Sequence, residues 1–383
     1  MRITITDNEN MLANINDKEH DYLRSLSFSK AKDLYGDPLP NEVSDRLNFE
    51  LQIIEKREAT DLFLFLYEVV TVAQTRLNLY VGPGRGTSAG SIVNYCLGIN
   101  KIDPLKYDLL FERFISPQSA SIPYIALDFD SEGREHVIDW IQQEYGKKYY
   151  PRNGEFEFFG LDALSVLKDT IKKIEECKGV SVDIERIPID DTKTFELFQN
   201  GMTDDIFQFE EEGIRKLLID FHPMCFEDLI VLNSLYQARS FNKIRTLTQR
   251  KNSKAPIEYD IPELEKHLHD TYGVIVYQEQ IMLISRLISN FTRDESDLLR
   301  RVVVKKRIAL IPELKAQFME GGLKNGHPEQ SLEKIWDAIE RNATFAFIKA
   351  HAVGYTWIAY QMAYLKANYP EEFKEVIEKY SLE

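Results

Sequence analysis

Cysteine and long apolar runs are scarce in this chain of 383 residues. Its three cysteines, Cys96, Cys177 and Cys225, lie far apart among apolar neighbours without metal-ligand spacing, so we expect reduced core residues. No apolar run reaches membrane-spanning length, and the amino-terminal segment MRITITDNENM lacks the apolar core of a signal peptide. These absences predict a cytoplasmic protein that makes no membrane contact.

Positive charge is also in short supply. The chain has 47 basic and 62 acidic residues, and its formal net charge of −15 disfavours nucleic-acid binding by the molecule as a whole. One segment is an exception, because no acidic residue lies between Asp228 and Glu258. Its cations form either a contact surface for the phosphate backbone of DNA or a solvated loop. They are Arg239, Lys243, Arg245, Arg250, Lys251 and Lys254.

Glycine is concentrated in one stretch, residues 81–91, with the sequence VGPGRGTSAGS. The Gly-Lys-Ser/Thr ending of the usual phosphate-binding loop is missing. The pattern still predicts a tight turn followed by a helix that starts near Ser88, whose free backbone N–H groups can hold a phosphate. The alternative is a plain connection with a solvated arginine. The candidate phosphate-binding residues are Gly84, Arg85, Gly86, Thr87, Ser88 and Ser91.

A run of alternating residues, SIPYIALDFDSEGRE, follows about forty positions later and predicts a strand. Asp128 and Asp130 are two positions apart, so on a strand they share a face at a spacing of about 7 Å. Two carboxylates behind a phosphate-binding turn are typical of a nucleotidyl-transferring palm, where they hold divalent ions against phosphates.

Helical spacing of apolar residues predicts most of the remaining elements. Residues 1–19 are predicted as a short strand and a loose connection, Pro104 as the start of a short helix, and Gly179 as a helix C-cap. Helices are predicted over 23–35, 44–54, 61–73, 135–145, 161–177, 205–218 and 225–235, the last two of them amphipathic.

Several collinear segments resemble the polymerase core of family C, the bacterial replicative DNA polymerases that include the DNA polymerase III alpha subunit. They are residues 81–117, 155–167, 204–218, 221–235, 272–285 and 345–373. The resemblance implies an α+β fold, with a Pol-beta-like nucleotidyltransferase palm (a mixed sheet with helices) over 1–175 and a mostly helical fingers domain over 176–383. It also implies DNA and deoxynucleoside triphosphates as partners, together with a replication-related protein.

The chain departs from this family where the family binds its metal ions. The family's palm strand reads P-D-x-D-x-D-F, whereas Tyr124 and Ala126 stand here at the first two aspartate positions and Asp128 at the third. Glu157 replaces the aspartate of a second strand. A two-metal site needs carboxylates to offset the charge of the ions, so we expect polymerase chemistry to be lost. One alternative is an active polymerase or nucleotidyltransferase that uses Mg²⁺ with Asp128, Asp130 and Glu157, the residual metal ligands being Asp128 and Glu157. Another is a protein-interaction module.

Two further expectations come from the resemblance. The family inserts its thumb domain where this chain has only GKKYYPRNG at 146–154, so we expect no thumb there; a hairpin turn with a basic rim is the plain interpretation of these residues. In the fingers, the segment RRVVVKKR and the F-x-K-S-H-like segment at 347–351 are expected to face nucleotide phosphates. The residues concerned are Arg300, Arg301, Lys305, Lys306, Lys349 and His351. For His351 the alternative is a helix-start histidine bonded to the backbone.

Overall fold

The computed structural model describes residues 9–116, 122–146, 154–253 and 256–380, with side chains from residue 18 onward. The chain divides into two compact units, Met1–Asp162 and Ala163–Glu383. The expected boundary between palm and fingers at residue 175 falls inside a helix that begins at Asp162. In the described part of the chain, no helix combines the length and the apolar character needed to cross a bilayer.

The first unit surrounds a core of aliphatic and phenylalanine side chains, among them Leu47, Phe63 and Phe111, which are fully buried. Most of its helices place one apolar face on this core. Helix α3 is buried along nearly its whole length, as its run of apolar residues predicts. The elements are α1 (Glu9–Tyr35), α2 (Asn41–Lys56), α3 (Thr60–Thr75), α4 (Ile92–Cys96), β1 (Tyr124–Phe129), α5 (Gly133–Tyr145) and β2 (Glu155–Gly160).

The sheet of the first unit has two parallel strands within the described residues, β1 and β2, which α5 connects. Parallel strands need a crossover connection of this kind. Each of the two strands has six residues. The sheet is therefore smaller than the mixed sheet that the sequence predicts, although Val81 adds an isolated antiparallel bridge to Phe129. Ile125, Leu127 and Phe129 of β1 point into the core, which leaves the alternate residues on the opposite face.

The second unit is mostly helical in its described part, with an isolated parallel bridge between Tyr277 and Phe347. One of its cores is centred on Trp336 and Phe318, both fully buried. Helix α9 is buried on nearly all sides and not amphipathic as predicted, because neighbouring helices cover both of its faces. The helices are α6 (Asp162–Lys178), α7 (Thr192–Gln199), α8 (Glu212–Phe221), α9 (Phe226–Gln237), α10 (Phe241–Ser253), α11 (Glu265–Leu268), α12 (Gln278–Ser289), α13 (Arg293–Val304), α14 (Ile311–Lys324), α15 (Glu329–Ala343), α16 (Lys349–Asn368) and α17 (Pro370–Tyr380).

Several local predictions are wrong. Helix α1 already begins at Glu9, so residues 9–19 are helical. A turn occupies the residues after Pro104, because the Asp103 carboxylate accepts hydrogen bonds from the backbone N–H groups of Leu105 and Lys106. Residues 205–211 are not helical, since Asp205 and Gln208 have positive φ angles of 62° and 68°.

The cysteines, Gly179 and the segments outside the described residues complete the comparison with the sequence. All three cysteines are free, but only Cys96 is buried, so the expectation of three core residues fails for Cys177 and Cys225. Gly179 follows α6 with a φ of +65°, as a C-cap glycine does. Residues 1–8, most of the connector at 146–154 and Lys254 lie outside the described residues.

Candidate active-site face and basic clusters

The face of the sheet that points away from the core carries two of the three candidate catalytic residues, Asp128 and Glu157. In the parallel register, Tyr124 pairs with Glu155, Ala126 with Glu157 and Asp128 with Phe159. Because alternate residues of a strand share a face, these six side chains lie together. We call this set the carboxylate face.

Asp128 does not face open solvent but is held by an arginine from the glycine-rich turn. Arg85 Nη1 lies 2.9 Å from Asp128 Oδ1, and the exposed fraction of the side chain is 0% for Asp128 and 31% for Arg85. The guanidinium also lies 3.9 Å from the centroid of the Phe159 ring, a cation–π contact. Burial raises the pKa of Asp128, and Arg85 opposes this rise. Asp128 Oδ2 is buried and has no hydrogen-bond partner among the described residues.

The second carboxylate of the face, Glu157, is hydrogen-bonded to a side chain of the neighbouring strand. The Tyr124 hydroxyl donates a hydrogen bond of 2.6 Å to Glu157 Oε2. Burial and this hydrogen bond raise the pKa of the Tyr124 phenol to about 12, so the phenol is a neutral donor at neutral pH. Tyr124 therefore occupies one of the two oxygens that Glu157 could offer to a metal ion.

Asp130 is outside the carboxylate face. Strand β1 ends at Phe129, and the buried Asp130 carboxylate accepts the backbone N–H groups of Tyr80 at 2.9 Å and Gly133 at 3.1 Å. A side chain at position 133 would place its Cβ 2.9 Å from Asp130 Oδ2, which explains the glycine. Asp130 thus fixes the connection from β1 to α5 and does not supply a second ligand beside Asp128.

These contacts decide whether the residues fit a pair of Mg²⁺ ions, and they do not fit. Such ions need several carboxylate oxygens directed at one point. Here Asp128 is paired with Arg85, Glu157 with Tyr124 and Asp130 with backbone N–H groups. Within the part of the chain that the structure describes, no group of three or more histidine, cysteine, aspartate or glutamate side chains could hold a metal ion.

The glycine-rich turn is arranged differently from the prediction. A 3₁₀ turn occupies Gly86–Gly90, and the α-helix begins only at Ile92. Gly84 and Gly86 have φ angles of +131° and +67°, which glycine adopts at little cost. Arg85, Gly86 and Thr87 are half-buried, whereas Ser88 is buried and donates its hydroxyl hydrogen bond to the Arg85 carbonyl at 3.0 Å.

The amino terminus of α4 is filled by a carboxylate of the protein itself. Glu50, fully buried on α2, accepts hydrogen bonds from the Ser91 hydroxyl at 2.7 Å and from the backbone N–H groups of Ile92 at 3.0 Å and Val93 at 3.2 Å. Arg46 Nε lies 2.6 Å from the same carboxylate. Burial raises the pKa of Glu50, while Arg46, Ser91 and Ile92 oppose the rise. Ser91, predicted to bind phosphate, is thus an internal residue.

In the second unit, the basic cluster of α10 separates into internal and exposed residues. Lys251 forms an ion pair with the buried Asp228, which also accepts the Tyr272 hydroxyl at 2.8 Å. Arg250 donates to the carbonyl of Tyr272 at 2.6 Å. Lys243 is half-buried and donates to a carbonyl. Arg239 and Arg245 are exposed and can meet a phosphate backbone.

The second basic cluster separates in the same way. Arg300 and Arg301 both pair with the buried Asp297, at 2.5 Å and 3.0 Å. Lys305 and Lys306 are exposed, as is the neighbouring Arg307. The first two arginines therefore stabilise α13, and the later cations remain available to a ligand.

The segment at 347–351 begins α16. The Lys349 ammonium lies 5.5 Å from the centroid of the Tyr277 ring, and its backbone N–H donates to the buried Glu279 at 3.0 Å. The His351 ring is half-buried, with its centroid 4.2 Å from that of Tyr355. Both side chains are thus half-buried beside aromatic rings at the start of the helix.

The partners that sequence reasoning missed are buried carboxylates, namely Glu50, Asp228 and Asp297. For two of them the sequence carries a signal. Glu50 follows Arg46 by four residues, and Asp297 precedes Arg300 and Arg301 by three and four, which are spacings of ion pairs on a helix. Asp228 lies among apolar residues with no such neighbour.

Comparison with known proteins bears directly on this arrangement. Residues 21–197 match the family model of the bacterial DNA polymerase III alpha NTPase domain, and residues 163–326 match that of the bacterial DNA polymerase III alpha subunit finger domain. Two family models of one protein thus follow each other along the chain. Their matches meet and overlap close to the division between the two units.

Whole relatives give the same result. The chain is 31% identical to the DNA polymerase III subunit alpha of Halalkalibacterium halodurans over 473 residues, which is 92% of this chain and 42% of that protein. It is 31% identical to the protein of the same name from Staphylococcus aureus strain COL over 447 residues, 86% of this chain and 42% of that protein. The chain thus spans less than half the length of the curated relatives it matches.

Proposed function

The chain belongs to the family of the bacterial DNA polymerase III alpha subunit, and from this premise we propose that it is a catalytically silent member that binds DNA through its second unit. In this proposal the β1–α5–β2 unit is the remnant of a Pol-beta-like palm. The helical unit acts as the fingers, and the protein works in the cytoplasm beside a replication-related protein.

The observation that carries the proposal is the pairing on the carboxylate face. Asp128 is paired with the Arg85 guanidinium and Glu157 accepts a hydrogen bond from the neutral Tyr124 phenol, where a polymerase palm would use metal ions. Ala126, opposite Glu157 in the register, adds no oxygen. The face therefore has no means to hold two ions around a triphosphate, and no catalytic step is assigned to it.

The length of the match supports the expected absence of a thumb. The 473 aligned positions exceed the 383 residues of the whole chain, so the relative carries residues inside the matched region that have no counterpart here. A missing thumb between 146 and 154 fits this difference. Without a thumb to grip the duplex, DNA binding depends on the remaining cations.

We assign DNA binding to the exposed cations of the second unit, because the other basic residues already have internal partners. The buried carboxylates Asp228 and Asp297 hold Lys251, Arg300 and Arg301 in place. Arg250 is exposed but donates to the Tyr272 carbonyl, and the other exposed residues of the two clusters are Arg239, Arg245, Lys305, Lys306 and Arg307. Deoxynucleoside triphosphates would contact the start of α16 through Lys349 and His351. Both interactions are electrostatic, so both weaken as salt concentration rises.

Primer extension tests the loss of catalysis. We expect no extension of a primed template with Mg²⁺ or Mn²⁺, while the Staphylococcus aureus DNA polymerase III subunit alpha extends it in the same buffer. Extension that Asp128→Asn abolishes would instead establish the alternative, a working enzyme that uses Asp128, Asp130 and Glu157.

DNA binding is tested by fluorescence anisotropy with labelled primed DNA. The double variant Lys305→Gln/Arg307→Gln should bind several-fold more weakly and should lower the slope of log K against log salt by about 2, because each lost phosphate contact removes about 0.9. Lys306 is left unchanged, since its φ of +50° makes a replacement ambiguous.

The matched control removes two exposed lysines elsewhere in the same unit. Lys216 and Lys324 have side chains that are 71% and 70% exposed, and among the described residues each pairs only with a glutamate one helical turn away. Lys216→Gln/Lys324→Gln changes the net charge equally and should leave both affinity and salt slope unchanged. Absence of DNA binding even at low salt would refute the proposal and favour a protein-interaction module.

A further inference from the structure

The second unit contains a cleft of about 570 Å³ that the polymerase resemblance does not assign. It lies between α10, the chain around residues 258–260 and α15. Its floor is apolar and includes Leu268, Ile275 and Ile335. Its wall carries four basic side chains, Lys243, Arg250, Lys334 and Arg341. A cleft of this size with an apolar floor and a few polar groups is typical of small-molecule sites.

Lys243 is the residue that most requires a partner in this cleft. Its ammonium donates to the Ile275 carbonyl at 3.2 Å, and no carboxylate among the described residues forms an ion pair with it. Burial alone lowers the pKa of Lys243 to about 8. A half-buried cation without a counterion carries a desolvation cost, and an anion bound in the cleft would offset that cost.

The other charged groups that line the cleft leave it with a surplus of positive charge. Lys334 is neutralised by Asp260 at 2.9 Å. Glu258 is the other acidic residue on the wall. Tyr259 adds an aromatic surface next to these groups. In a chain with a formal net charge of −15, a cleft with this balance is selective for anions.

We propose that the cleft binds a phosphate monoester with a flat apolar body, with Lys243, Arg250 and Arg341 on the phosphate and Tyr259 and the apolar floor against the ring. A free mononucleotide and the 5′-phosphorylated end of a DNA strand share this chemistry. The site is distinct from the exposed cations that bind the DNA backbone, and it does not depend on the proposed function.

Titration calorimetry with thymidine 5′-monophosphate tests the site. We expect saturable binding, at least tenfold weaker binding of thymidine, which lacks the phosphate, and at least a tenfold loss of affinity in Lys243→Met. Affinity should fall as pH rises from 7 to 9 in the wild type, because the Lys243 amine loses its proton in that range, and this fall should vanish in Lys243→Met.

Two further arms separate the sources of the phosphate and the possible failures. A short oligonucleotide with a 5′-phosphate is compared with the same strand ending in a 5′-hydroxyl. Preference for the phosphorylated strand assigns the site to DNA ends. Binding of the mononucleotide alone assigns it to free nucleotides. Arg341→Gln serves as a second variant with the same expected loss, should Lys243→Met fail to fold.

The control variant is Lys216→Met, which should bind like the wild type, and Lys305→Gln/Arg307→Gln should also leave the mononucleotide affinity unchanged. The latter comparison separates this cleft from the DNA surface. If neither the mononucleotide nor the phosphorylated strand binds, or if Lys243→Met and Arg341→Gln bind as the wild type does, the assignment is wrong.

Discussion

Arg85 contacts two neighbours on the carboxylate face, the Asp128 carboxylate at 2.9 Å and the Phe159 ring at 3.9 Å. The ring limits the positions of the guanidinium, and the carboxylate compensates its charge. One residue of the glycine-rich turn thereby fixes the turn to the sheet. Because the pair includes a fully buried carboxylate, removing the cation leaves a charge that solvent cannot reach.

We therefore predict a pH-dependent loss of stability in Arg85→Gln. Burial already raises the pKa of Asp128 above its unfolded value, and without Arg85 the pKa rises further. When the pKa of a carboxyl group is higher in the folded than in the unfolded protein, the free energy of unfolding falls as pH rises between those two pKa values. Urea unfolding should show a loss of roughly 2 kcal/mol at pH 8 and a smaller one at pH 5.

The control is the double variant Arg85→Gln/Asp128→Asn, in which no charge remains to be buried. At pH 8 the double variant should be more stable than Arg85→Gln and less stable than the wild type. The loss of stability at pH 8 should also differ less from the loss at pH 5. An equal loss at both pH values in the single variant would mean that Arg85 acts through packing alone.

At the scale of elements, the short helix α4 depends on a residue of α2. Helix starts leave backbone N–H groups without partners, and a carboxylate satisfies them while it also interacts with the helix dipole. Glu50 does this for Ile92 and Val93 and binds the Ser91 hydroxyl as well. Arg46, also on α2, donates hydrogen bonds to the carbonyls of Gly90 at 2.8 Å and Leu109 at 3.2 Å. The glycine-rich turn is thus fixed from inside.

Glu50→Gln should accordingly destabilise the protein by about 3 kcal/mol, since the amide has one acceptor where the carboxylate has two and leaves Arg46 without its counterion. The measurement is the free energy of unfolding in urea. Gln52→Ala, an exposed change on the same helix, should stay within about 0.5 kcal/mol of the wild type. Equal midpoints for the two variants would contradict the role given to Glu50.

At the scale of the whole molecule, each unit has its own apolar core. The first contains Leu47 and is packed against Trp140, and the second contains Trp336. Each core excludes water from its own set of helices, which predicts that the units unfold as separate cooperative blocks. The tryptophans are placed to report on the two blocks individually.

Leu47→Ala should remove about 2–5 kcal/mol from the first unit, because the lost side chain leaves a cavity. In variants that keep either Trp140 or Trp336 as the fluorescent reporter, the midpoint seen by Trp140 should shift and that seen by Trp336 should stay nearly constant. Equal shifts at both reporters would show that the two cores unfold as one.

Much of the fold could be predicted from the sequence, because apolar spacing specifies helices such as α3 and α5 directly. The family also followed from contiguous motifs. Partners distant in sequence could not be predicted: charge counts give six cations between Asp228 and Glu258, but they do not reveal that Lys251 belongs to Asp228 and that Arg245 is exposed. The prediction of a helix from Pro104 was wrong for a local reason, because the Asp103 carboxylate accepts a hydrogen bond from an N–H group near the start of such a helix.

The hydrogen bond between Tyr124 and Glu157 has an evolutionary consequence, because it opposes the stepwise gain of further carboxylates on this face. An aspartate at position 124 alone would remove the phenol and set a second anion beside Glu157. An aspartate at position 126 alone would face Glu157 across the register, next to Asp128. Each single substitution adds repulsion between carboxylates before a metal ion could offset it, so a metal-binding face could be reached from the present one only by several changes at once.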